Sequence, residues 1–113
     1  MESQRQLKIS KMLQRELGEI FQREGKGKYG GVMITVTKVN VTRDLSLARV
    51  FLSLFATNDK KALLQTIRSH TGEIRFYLGK RIKNQVRHIP ELEFYEDDSL
   101  DYIDNIDNLL HEN

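Results

Sequence analysis

The run LLQTIRSHTGEIRFYLGKRI, residues 63–82, decides the fold. Its apolar positions Leu63, Ile67, Ile74, Leu78 and Ile82 step by four, seven, four and four, the spacing of one continuous amphipathic helical face. The step of seven passes over Ser69-His70-Thr71-Gly72, where a glycine costs a helix about 1 kcal/mol and a β-branched threonine weakens it further. That stretch predicts a kink between two helices sharing one buried face. Ahead of the pair, Asn58-Asp59 is a helix-start signal, with Asn58 expected as the cap.

Upstream lie two strands. Val32, Ile34 and Val36 alternate with Met33, Thr35 and Thr37 in a β-branched run of period two. The apolar parity then flips to Val39 and Val41, which calls for a β-bulge near Thr37-Lys38. Arg43-Asp44-Leu45-Ser46 makes a turn, after which Ala48, Val50, Leu52 and Leu54 take one face and Arg49, Phe51 and Ser53 the other. So short a connection implies an antiparallel hairpin.

Before the hairpin, Ile9, Leu13, Leu17, Ile20 and Phe21 share one face of a helix expected over residues 3–24. Arg5, Lys8, Lys11 and Arg15 gather about 140° from that apolar centre, as a cationic strip. Four glycines in residues 25–31 break the helix with a flexible connection that carries two lysines. After the helix pair, Ile89-Pro90-Glu91-Leu92-Glu93-Phe94 is a last strand with Pro90 at its start, where a missing N–H is tolerated. A strand–helix–strand crossover places its two strands parallel and right-handed. The expected class is therefore α+β: helix, strand, strand, kinked helix pair, strand, with a three-stranded mixed sheet and helices on one face. Behind Ser99, Ile103, Ile106 and Leu110 have helical spacing; a short acidic helix and a frayed tail both remain open.

With 113 residues, 39% hydrophobic and 30% charged, the chain has room for one domain with one modest core. Met1-Glu2-Ser3-Gln4-Arg5 opens without an apolar stretch, and no window approaches the roughly 20 apolar residues of a membrane span. No secretory signal and no membrane are expected. The absence of cysteine excludes disulfides, thiolate nucleophiles and Cys-based metal sites, and fits a cytoplasmic protein.

The net charge of +2 hides a strong segregation. Residues 91–113 hold nine acids and no Lys or Arg, so residues 1–90 hold all eighteen bases with seven acids, a net +11 against −9. A basic body attracts polyanions, and an acidic tail tunes or competes with that attraction. The expected division is a domain over residues 1–98 and an acidic tail over residues 99–113. Folded back on the body, such a tail would restrain non-specific RNA binding.

Two patches carry the expected RNA contact. The first is Arg5, Lys8, Lys11 and Arg15; the second is Arg68, Arg75, Lys80, Arg81, Lys83 and Arg87, around and after the kink. Cations so placed can track an RNA backbone, displacing its condensed counterions. Phe76 and Tyr77 sit beside the second patch, next to core-facing Leu78, and Phe51, Phe55 and Phe94 lie on strands; most of these aromatics are expected in the core and one exposed to stack on an unpaired base. Gly27-Lys28-Tyr29-Gly30 spells the Gly-x-x-Gly of a KH clamp, but a clamp needs two flanking helix ends and this copy joins a helix to a strand. His70, His88 and His111 are too scattered for a metal site. No nucleophile–base or carboxylate pair stands out, so neither a cofactor nor catalysis is expected.

Three blocks resemble the ribosome-binding factor A family. They are Val39-Asn40-Val41-Thr42-Arg43-Asp44-Leu45-Ser46-Leu47-Ala48-Arg49-Val50, then Gly72-Glu73-Ile74-Arg75-Phe76-Tyr77-Leu78-Gly79-Lys80, then Ile89-Pro90-Glu91-Leu92-Glu93-Phe94. The resemblance runs to about Ser99. It implies a single type II KH-like domain, in agreement with the order above. It also implies an Ala-x-Gly kink in place of the KH loop; here that place holds His70, Thr71 and Gly72, with histidine where the family has alanine. What it implies of function is a bacterial assembly factor that binds the free 30S subunit and 16S rRNA during late maturation. That role includes 5′-end processing and matters most in the cold. A monomer is expected. The rival readings are a protein-interaction module using the acidic tail or an apolar helix face, and, last, a small enzyme on a ferredoxin-like sandwich.

Overall fold

The computed structural model describes residues 3–23, 28–29, 32–55, 57 and 59–97. Helix α1 (Gln4–Arg23) is followed by β1 (Met33–Val41), β2 (Leu47–Phe55), α2 (Lys60–Ser69), α3 (Thr71–Ile82) and β3 (Glu91–Glu96). Strand β2 is central, antiparallel to β1 and parallel to β3. The expected α+β order and mixed sheet are those observed, with β3 starting two residues later than read.

The bulge falls where the parity flip put it. Val36 pairs with Leu52 and Lys38 with Phe51, so Thr37 is the extra residue. That insertion keeps Val36, Val39 and Val41 all on the buried side, facing the helices with Ala48, Val50, Leu52, Leu54, Leu92 and Phe94. The helices answer with Leu13, Leu17, Ile20, Leu63, Ile67, Ile74, Leu78 and Ile82, all buried. All five positions read from the period of the kinked pair lie in the core, joined by Leu64.

The ends of α1 and α2 differ from expectation. Helix α1 starts with a reciprocal capping box: Ser3 Oγ accepts from Gln6 N at 3.1 Å, and Gln6 Oε1 accepts from Ser3 N at 2.9 Å. Gln6 is itself buried, because its Nε2 donates to Val41 O at 3.0 Å and ties α1 to the end of β1. The cap of α2 is Asp59, whose Oδ1 accepts from Ala62 N at 3.0 Å, and not Asn58, which lies outside the described residues.

The kink is narrower than the four-residue stretch. His70 alone interrupts the helices, with φ −99° and ψ 13°, while Gly72 belongs to the first turn of α3. Thr71 Oγ1 donates to Arg68 O at 2.7 Å, satisfying a carbonyl freed by the break. Nothing lies within 4 Å of a Cβ built on Gly72, so the fold itself does not demand glycine there.

Beside the kink sits the connection expected to be a flexible loop. Of its clamp-like residues, Gly27 and Gly30 lie outside the described set. Tyr29 is a core residue, 7% exposed, against Phe21 and the His70 ring, with its hydroxyl 3.4 Å from His70 Nδ1. Burial raises the Tyr29 phenol above its ordinary pKa. Lys28 pairs with Glu73, an exposed contact that raises the lysine and lowers the carboxyl.

Candidate nucleic-acid interface

The two basic patches meet on one surface. A groove of about 490 Å³ lies between α1 and Gln85, lined by Lys8, Ile9, Lys11, Met12 and Arg15. Ile9 also lines the next concavity, about 290 Å³, between the start of α1, the β1–β2 turn and the segment after α3. Arg87 and His88 line that one and continue into a third, about 640 Å³, along Gly72, Phe76, Gly79, Lys80 and Lys83 of α3 and its end. The surface is thus continuous from Arg15 to Phe76.

Seven of the ten expected contact residues lie on this strip: Arg5, Lys8, Lys11, Arg15, Lys80, Lys83 and Arg87. All seven are exposed, and among the described residues Arg15 alone of them makes an ion pair, with Glu16 at 3.6 Å. Phe76 is 59% exposed with Lys80 Nζ 4.8 Å above its ring, so an aromatic face sits within the cationic line. More than one aromatic escapes the core, since Phe55 is 69% exposed at the far end of β2.

The other three are occupied by the fold. Arg68 donates from Nε and Nη2 to Phe94 O, at 3.0 and 2.7 Å, and lies over the Tyr95 ring. Arg75 lines the third groove, and its guanidinium donates to Pro90 O at 3.0 Å and Ile89 O at 2.6 Å. Arg81 turns toward α1, bridging Glu16 at 2.8 Å and Glu19 at 2.5 Å, and those carboxylates raise its pKa. Each of these guanidinium groups has a ready intramolecular acceptor, and a five-donor fork satisfies such acceptors better than a lysine can.

Two strip residues were missed. Arg43 stands in the β1–β2 turn and His88 in the approach to β3, both exposed on the rim of the middle concavity. Only tertiary placement brings a turn residue 28 positions past Arg15 beside α1; no period in the sequence signals it.

The cations of α1, the β1–β2 turn and the end of α3 form a surface able to hold polyanions. A sequence model described as ribosome-binding factor A matches residues 5–110. The chain belongs to the ribosome-binding factor A family. The match continues past Ser99, where the resemblance read from motifs stopped. The ribosome-binding factor A of Cytophaga hutchinsonii is 44% identical over 110 residues, covering 97% of this chain and 83% of that one. That of Flavobacterium johnsoniae is 45% identical over 111 residues, covering 97% and 85%. Among solved structures, crystalline ribosome-binding factor A from Thermus thermophilus superposes with a TM-score of 0.68 at 22% identity, over 80% of this chain and 94% of that one. A homology model of the T. thermophilus factor, fitted into a cryo-EM map of a 30S–RbfA complex, gives 0.64 at 22% identity, over 79% and 91%. These neighbours share the fold, which is KH-like.

Among the described residues, no group of three or more His, Cys, Asp or Glu side chains could hold a metal ion, and no helix is long and apolar enough to cross a membrane.

Proposed function

We propose that this chain is a cytoplasmic assembly factor that binds the free 30S subunit, gripping 16S rRNA phosphates through the strip from Arg15 to Phe76. The observation that carries this is a run of exposed cations that make no ion pair among the described residues: Arg5, Lys8, Lys11, Arg43, Lys80, Lys83 and Arg87 lie along three abutting concavities. Such cations release counterions from RNA without first breaking a protein contact. Family membership supplies the subunit, as does the T. thermophilus relative placed in a 30S complex. The chain acts as a monomer in late maturation, including processing of the rRNA 5′ end, and performs no catalysis and uses no cofactor. The domain over residues 1–98 carries the contact. Arg68, Arg75 and Arg81 support it by fixing β3 and α1 against the helix pair.

Sedimentation through a gradient with purified 30S and 70S particles tests the proposal. Co-migration with free 30S that weakens steeply with salt is expected. Retention at the top of a low-salt gradient would sink it.

A further inference from the structure

The middle concavity is more enclosed than the grooves on either side. Its floor is apolar, made by Ile9, Leu45, Val86 and the buried Pro90, while Arg5, Arg43 and Arg87 stand at its rim with a single acid, Asp44. A surface that only tracked phosphates would have no use for an apolar hollow between its cations.

The hollow is built at some cost in backbone strain. Leu45 has φ 63°, the one positive φ among described non-glycine residues, in a region that a branched side chain rarely adopts. The turn that imposes it is closed by Leu45 N donating to Thr42 O at 2.9 Å. Asp44 Oδ1 gathers the hydroxyls of Thr42 and Ser46 and the Ser46 N–H, at 2.7 to 3.1 Å. Glycine would make the same turn unstrained, but only a side chain gives the hollow this wall. Opposite, the capping box and the Gln6–Val41 bond hold the start of α1.

We infer that this concavity receives one unpaired base of the bound RNA, with the phosphates on either side lying against Arg5, Arg43 and Arg87. A base is apolar on its faces and polar at its edges, which matches an apolar floor ringed by guanidinium donors. Its volume of about 290 Å³ suits one flat group and not a helix. A paired base hides both faces in its stack, so the site selects unpaired nucleotides. The inference rests on the RNA-binding reading above.

The test uses the full chain and two RNA hairpins of equal length and phosphate number. One carries a single bulged adenosine, the other an abasic ribose at the bulge. The bulged base is expected to bind about tenfold more tightly at equal salt, with matching salt slopes. Leu45→Gly, which relieves the strain and removes the wall, should erase that preference and keep the slope. Val86→Trp, which fills the hollow and leaves every cation, should do the same. Equal affinity of the unmutated protein for both hairpins, with a clear salt slope, would overturn the pocket and spare the phosphate grip. Binding to neither would overturn both.

Discussion

The outer edge of β3 and the strip from α1 to α3 draw their cations from the same stretch of chain, yet they use them in opposite ways. At the edge, Arg68 and Arg75 spend their donors on the carbonyls of Phe94, Pro90 and Ile89. On the strip, Lys80, Lys83 and Arg87 make no ion pair among the described residues. The groups taken up by the fold are all arginines, whose planar fork fits a carbonyl or two carboxylates at once. All four lysines of the expected set remain on the exposed side. Local density of positive charge therefore says less about ligand contact than does the acceptor waiting beside each group.

The comparison breaks most visibly if the strip is neutralised. Lys80→Gln, Lys83→Gln and Arg87→Gln together should cut affinity for single-stranded RNA by several tens of fold near physiological salt. They should also lower the slope of log K against log salt by about 2, at about 0.7 per phosphate contact. Melting should barely change. Filter binding across a salt series decides it, and an unaltered slope would remove these residues from the interface.

The edge should answer in the other currency. Arg68→Ala and Arg75→Ala each remove charged donors from strand carbonyls, for an expected loss of about 1–2 kcal/mol in stability by urea titration. The salt slope of RNA binding should stay where it was. A reduced slope with unchanged stability would exchange the roles assigned to the two regions.

Arg81 sharpens the contrast, because it lies between the strip and the core. Arg81→Ala takes the partner from Glu19 and leaves Glu16 only Arg15, at 3.6 Å, while the pairs themselves, partly exposed, contribute at most about 1 kcal/mol. Affinity for RNA should fall a few-fold through the uncovered carboxylates. Adding Glu16→Gln and Glu19→Gln should restore it. Failure of that rescue would mean that Arg81 touches RNA directly.

Period and parity carried most of the fold. The bulge at Thr37, the inward faces of β2 and the buried positions of the kinked pair all follow from where apolar residues fall along the chain. Polar anchors were legible only in part. Ser3-x-x-Gln6 is a capping-box pattern readable from the sequence, but that Gln6 would be buried against Val41 depends on how α1 crosses the sheet. Tyr29 looked like loop because glycines surround it; His70, 41 residues away, makes it core. The strip shows the same division. Its lysines are visible as a stripe on α1 and a cluster after the kink, whereas their continuity depends on Arg43 and His88, which no local pattern marks.

The smallest expected effect concerns the one acid lining the strip. Hydrogen bonds from the Ser46 hydroxyl, then the Ser46 N–H and the Thr42 hydroxyl, hold the Asp44 carboxyl below its ordinary pKa. A depressed carboxyl contributes stability above its unfolded pKa and loses it as pH falls through the folded value. Asp44→Asn keeps an oxygen that accepts from Ser46 and Thr42 but removes the charge. The stability gap between the two proteins should then be widest near neutral pH and close as Asp44 protonates. RNA affinity at low salt should rise about two- to threefold, because a negative charge within a Debye length of Arg5, Arg43 and Arg87 has gone. A gap that stays constant with pH would mean that the turn depends on the shape of Asp44 and not on its charge. A fall in affinity would mean that the carboxylate itself contacts RNA.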